Sequence, residues 1–316
     1  MKDGGKSSNG LAIPYAFALF VSAFLLFSIE PMVAKAITPL LGGTPAVWIS
    51  CMLFFQVLLL AGYVYVHASL TWLGARKQAI LQLLLVLLPF LALPIVIDGE
   101  QVRGWNRDTN PTFSLLFLLA RSVGPGFVVL SMSGPLLQGW FAALPAPGNA
   151  PRNPYVLYAA SNAGSVAALA AYPVVIEPHI GLKRQFELWY HGYFAFVALV
   201  AVSALILLSL RRQAAPSAPE AVEAALEDGP RWRKRLTWAA LAFVPSTYMM
   251  GLTTFITTDV APIPLFWVLP LLLYLVTFIL VFSGRQLFSD HPGRDAGLHL
   301  VGHGRERGHS GAAPSA

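Results

Sequence analysis

The sequence predicts an all-α fold, a polytopic bundle of about eight transmembrane helices. Three observations predict it. Of the 316 residues, 56% are hydrophobic and only 11% are charged, against about 25% charged in a soluble globular domain. The mean hydropathy is +0.63. A chain so poor in polar groups cannot cover its own surface in water, so a lipid bilayer is its natural solvent. Apolar runs of about 20 residues, the length that crosses a hydrocarbon core, recur along the chain between short polar connections.

A polar N-terminus, 1–11, carries Lys2 and Lys6. The first apolar run, 12–34, contains Glu30 near its end. It is followed by Ala34-Lys35-Ala36, which has the spacing of a signal-peptide cleavage site. Pro31 and Lys35 are poor neighbours for such a site, and the run is long for a signal, so the segment reads as a retained helix. The second run, 46–67, is apolar up to His67, and the third, 79–97, holds Gln82 as its polar residue. The fourth, 113–137, is interrupted by Arg121, Gly124 and Pro125. The fifth, 155–176, carries small residues at spacing four, Ala160, Gly164 and Ala168, with Ser161, Asn162 and Ser165 alongside. Small residues at that spacing let helix backbones approach closely. The sixth run, 190–210, closes a block of six helices over 12–210. A linker, 211–235, is rich in Ala, Pro and Glu and ends in the basic cluster Arg231-Trp232-Arg233-Lys234-Arg235. Two more runs, 236–257 and 264–283, form a second block over 236–284 around the turn Asp259 to Pro264. The tail, 285–316, is rich in Gly, His and Arg, has no apolar face, and reads as disordered.

The net charge of +6 does not point to nucleic acid, because the basic residues sit in the connections between runs. With the N-terminus placed in the cytoplasm, fifteen of the 21 Lys and Arg fall on the cytoplasmic side. The opposite side holds only Arg103, Arg107, Lys183 and Arg184. The excess of positive charge inside predicts both termini in the cytoplasm and residence in the cell inner membrane. The single cysteine, Cys51, lies within an apolar run, which excludes a disulfide framework and reads as a small buried hydrophobe.

Ionisable residues are costly inside a membrane and mark functional candidates. Glu30, Lys35, Glu177 and Asp259 map to the outer ends of their helices, and Arg121 lies deeper, among leucines, where a buried acidic partner is expected. Together they form a candidate polar layer for a cation. Asn162 joins them as the amide within the fifth run. Pro31, Pro39, Pro125, Pro135, Pro173 and Pro178 interrupt or end helices, as at the binding sites of transporters. An echo links Ile29-Glu30-Pro31 to Ile176-Glu177-Pro178, four helices apart in the same orientation, the pattern of a parallel repeat.

Several of these runs occur together in a recognisable order: Phe27-Ser28-Ile29-Glu30-Pro31-Met32 with Lys35; Tyr158-Ala159-Ala160-Ser161-Asn162-Ala163-Gly164-Ser165; Tyr172-Pro173 with Ile176-Glu177-Pro178; and Thr257-Thr258-Asp259-Val260-Ala261 before Trp267-Val268-Leu269-Pro270. Over roughly residues 11–285 the chain resembles the bacterial family of fused major-facilitator-like/spermidine synthase proteins. The resemblance implies a transport-like helical region. In relatives it also implies further helices and a cytoplasmic aminopropyltransferase-like domain for a decarboxylated S-adenosylmethionine-like ligand. Here the pattern departs after Gln286. No strand, Gly-rich loop and helix follow, so the synthase activity does not carry over, and no cofactor is expected.

The leading expectation is therefore a transport-like or ligand-binding membrane module, with a polyamine or other cation as its ligand. The alternatives are a membrane anchor or scaffold for a separate synthase of the aminopropyltransferase type, and a truncated, non-functional fragment. Catalysis by the chain itself is not expected, because no nucleophile and base stand at a usable spacing. A metal site at His299 and His303 is not expected either, given the composition around them.

Overall fold

A computed structural model describes residues 4–41, 45–95, 97, 111–145, 155–210, 231–255 and 268–282. Helices make up nearly all of these residues, and no strand occurs among them. The elements are α1 (Gly4–Leu41), α2 (Pro45–Leu85), a turn of 3-10 helix (Leu88–Leu91), α3 (Pro111–Ser122), α4 (Gly124–Ala142), α5 (Tyr155–Ala171), α6 (Leu182–Ser209), α7 (Arg231–Phe255) and α8 (Val268–Phe282). A π-helical turn (Tyr172–Ile176) and a short helix (Glu177–His179) extend α5. Most of the expected linker, the whole expected tail with His299 and His303, and the turn holding Asp259 lie outside the described residues.

Four stretches are long and apolar enough to cross a membrane: Gly10–Leu41, Ile49–Leu91, Leu157–His179 and Leu182–Ser209. The second of these contains two of the expected helices. At Gly74 the backbone takes φ 68° and ψ 164°, and the chain reverses. The Tyr65 hydroxyl lies 3.5 Å from Gln82 Oε1, whereas 17 residues of straight helix would separate their backbones by about 25 Å. Contacts with α4 give the directions of the two arms. On the first arm Phe54 lies near Gly124 and Leu70 against Gly139, so it runs parallel to α4. On the second arm Trp140 donates to Gln78 and Gln82 meets Met132, so it runs antiparallel. The runs expected at 46–67 and 79–97 are the arms of this hairpin.

The fourth expected run is one apolar stretch in sequence but two helices in space. α3 and α4 meet at 66°. Pro125 follows the break at Val123. It cannot donate a backbone hydrogen bond, and its ring crowds the carbonyl one turn back, at Arg121. In α1 the prolines have no such effect: Pro14, Pro31 and Pro39 all lie inside a continuous helix.

The bundle is built around α1, whose most extensive contact is with α5, followed by α6 and α4. Buried polar groups tie these helices together through backbone carbonyls. Tyr15 donates to Ser203 O at 2.7 Å, Trp189 to Leu25 O at 2.9 Å and Tyr193 to Val86 O at 2.9 Å. Each such bond satisfies a donor that has no water to turn to. Arg76, two residues past the Gly74 reversal, donates to the carbonyls of Leu207, Leu208 and Leu210, groups that the end of a helix leaves without partners. Trp140, Tyr15, Tyr172, Tyr193, Phe127 and Phe196 are fully buried at the centre.

The exterior is apolar. Phe17, Leu53, Leu60, Phe117 and Val174 all point outward, as do Leu236, Trp238, Leu241, Phe243 and Tyr248 along α7. An apolar outer surface on long helices is compatible with a membrane protein.

Candidate functional site

The site begins with how closely α1 and α5 approach. Gly164 lies against the backbone of Phe20, and Ala168 is fully buried. These are two of the small residues at spacing four, and they perform the packing role their spacing implies. Ser161 and Ser165, one position further round α5, face a partly open cavity of about 310 Å³ between the helices. α1 supplies its wall over three turns, from Leu19 through Ser22, Leu26 and Phe27 to Glu30. The first arm of α2 contributes Met52, Phe55, Gln56, Leu59 and Tyr63, and α4 contributes Phe127, Leu130, Ser131 and Gly134. Met249 of α7 and Leu271 of α8 complete it.

The wall is graded along its length. Glu30, at one end of the α1 stretch, is the single charged residue among the described lining residues. Its carboxylate has no hydrogen-bond or ion-pair partner among the described residues. Phe27, Phe55 and Phe127 follow, with Phe55 and Phe127 in direct ring contact at 4.7 Å between centroids. Further along, the hydroxyls of Ser22, Ser131 and Ser165 reach the wall. Each already donates its proton to a backbone carbonyl, Ser22 to Leu130, Ser131 to Val128 and Ser165 to Ser161. What these hydroxyls offer to the cavity is lone pairs.

The other candidate residues separate. Lys35 and Glu177 meet, Nζ to Oε1 at 3.2 Å, with side chains 39% and 33% exposed. The pair joins the ends of the parallel helices α1 and α5, just beyond the π-turn at Tyr172–Ile176. Pro173 lies in that turn and donates no backbone hydrogen bond, and Glu177 N–H reaches Tyr172 O across five residues. Such turns recur at functional sites. Asn162 is half-buried and stands beside the two cavity serines without lining the cavity. Asp259 lies outside the described residues.

Arg121 is not buried as its leucine neighbours suggested: it is exposed and forms no ion pair among the described residues, while Asp259, one of the three acids expected to partner it, lies outside them. The reason is helical phase. Leu115, Leu118, Leu119 and Val123 share the buried stripe of α3, whereas Phe117, Ala120 and Arg121 occupy the outward one. Of the two described acids proposed as its partners, Glu177 is taken by Lys35 and Glu30 lines the cavity.

Sequence reasoning did not single out Ser22, Gln56, Tyr63 or Ser131. Gln56 left a signal, as a lone amide in an otherwise apolar run. The serines left none, since a serine that bonds back to its own helix is ordinary in apolar helices. Among the described residues, no group of three His, Cys, Asp or Glu is placed to hold a metal ion. The chain matches no family model, and no curated protein or solved structure is significantly similar to it.

Proposed function

We propose that this chain is a membrane-embedded, transport-like module that binds a cation in the cavity lined by Glu30. The observation that carries the reading is a carboxylate without a partner on the wall of a cavity between helices. Such a group is costly in an apolar bundle unless a ligand or a proton compensates it. The helix pairing supports the transport-like part. The two most extensive interhelical contacts are α1 with α5 and α2 with α4; α1 runs parallel to α5, and the first arm of α2 runs parallel to α4. That is the arrangement produced when three helices and the next three are related by inversion, an architecture used by transporters with a central site. The resemblance to the membrane region of fused major-facilitator-like/spermidine synthase proteins agrees with it. The positive-inside count supports a bacterial inner-membrane location with both termini cytoplasmic.

The test is thermal unfolding of the full chain in lipid nanodiscs with a panel of protonated amines, including spermidine and tyramine. A ligand that binds only the folded state raises the melting temperature in proportion to the logarithm of its concentration. At least one amine should stabilise the wild type, and Glu30→Gln should abolish that effect while remaining monodisperse. Stabilisation that survives Glu30→Gln would remove Glu30 from the site, and the absence of any effect across the panel would refute cation binding.

A further inference from the structure

Within the cation-binding reading above, we infer that the ligand is a monoamine with an apolar body, and not a polyamine. Three features of the cavity wall converge on this class. The first is charge: Glu30 is the single charged group on the wall among the described residues, so one positive charge is matched. The second is the middle of the cavity, where Phe27, Phe55 and Phe127 present apolar and aromatic surface. That surface suits a hydrocarbon or ring; to a second ammonium it offers a weak attraction to a ring face and the neutral amide oxygen of Gln56, but no negative charge. The third is the far wall. Ser22 and Ser131 face the cavity with their protons already committed to carbonyls. They can accept a hydrogen bond from a neutral hydroxyl, but they carry no negative charge.

The spacing sharpens the argument. Eight residues of α1 separate Ser22 from Glu30, about 12 Å along the helix. A polyamine anchored on Glu30 and extending along the described wall would therefore place its remaining charges against aromatic rings and neutral oxygens. Each uncompensated charge in such surroundings is penalised by its lost hydration. A monoamine incurs no such penalty: its ammonium meets the carboxylate, and its body displaces water from the rings.

The experiment uses the full wild-type chain in nanodiscs and reads modification of Glu30 by dicyclohexylcarbodiimide, quantified by mass spectrometry of the peptide that contains it. This measures occupancy at the carboxylate without requiring any variant to fold. Tyramine, with one ammonium, an aromatic body and a phenol donor, is compared with spermidine at equal ionic strength. Tyramine should protect Glu30 at a concentration at least about tenfold below that of spermidine, the ratio expected when one charge-assisted contact separates two ligands. Equal or stronger protection by spermidine would overturn the monoamine assignment and leave the cation site standing. Labelling that neither amine slows would overturn the cation site itself.

Discussion

The contact between α1 and α5 is the most extensive in the bundle, and substituting Gly164 tests it directly. A Cβ built at Gly164 would stand 3.0 Å from the Phe20 carbonyl carbon and 3.1 Å from Phe20 Cα, with the Phe20 oxygen closer still. These are backbone atoms, so no rotamer change relieves the clash. For Gly164→Ala, α1 must withdraw by roughly an ångström along its most extensive interface, and overpacking of this kind costs about 3 kcal/mol. Two other glycines calibrate the effect. Gly192→Ala brings its Cβ within 2.8 Å of Leu25 Cδ2, a methyl that can turn aside, and should cost less than about 1.5 kcal/mol. Gly251→Ala in α7 meets nothing within 4 Å and should gain up to about 1 kcal/mol from helix propensity. Thermal unfolding of the three variants in one detergent should therefore rank them Gly251→Ala, Gly192→Ala, Gly164→Ala, from most to least stable. Wild-type stability for Gly164→Ala, or a larger loss at Gly192 than at Gly164, would show that the two backbones do not approach as described.

Three further outcomes follow from the same contacts. Neutralising Lys35 or Glu177 should cost about 1 kcal/mol, as expected for a partly exposed pair, and neutralising both should cost no more than either alone; a double-mutant cycle with additive losses would show that the pair does not form. Trp140→Phe removes the donor that holds Gln78 Oε1 at 2.8 Å in a fully buried setting. It should destabilise by about 1–3 kcal/mol, with Trp140→Phe/Gln78→Leu recovering part of the loss in chemical unfolding. Gly74→Ala adds a methyl that touches nothing within 4 Å, so its whole effect is backbone strain at φ 68°, about 1–3 kcal/mol; an unchanged melting temperature would contradict the reversal geometry.

The helices themselves were legible because each carries its own signal, an apolar run of sufficient length. Their ends and breaks were less so, because proline acts differently in different surroundings. Pro31 and Pro39 suggested that α1 stops early, yet the helix continues to Leu41. Apolar surroundings offer freed carbonyls no better partner than the helix itself. Pro125, by contrast, coincides with a bend of 66°. It follows Gly124, which is buried against Phe54 and Leu58, so tertiary packing fixes the new direction there. The reversal at Gly74 was marked only by Gly74 within Leu73-Gly74-Ala75-Arg76-Lys77. The hairpin was nonetheless implied by two runs of membrane-spanning length on either side of that basic connection.

The charged residues divide along the same line between local and tertiary information. Their cost in a membrane depends only on residue type, so the sequence marks all of them equally. Their roles depend on helical phase and on which helices meet. Arg121 and Leu119 are two positions apart on α3, yet one is exposed and the other fully buried. The echo of Glu30-Pro31 in Glu177-Pro178 suggested that the two acids are equivalent. The parallel pairing of α1 and α5 instead gives them different partners, because it brings Lys35 to Glu177 and leaves Glu30 facing the cavity. A lysine five residues beyond Glu30 on the same helix is rotated about 140° away from it, since 3.6 residues make a turn. It can neutralise the acid of the neighbouring helix without quenching its own. That phase relation keeps one carboxylate available at the cavity wall, and it follows from the spacing of Glu30 and Lys35 once the partner helix is known.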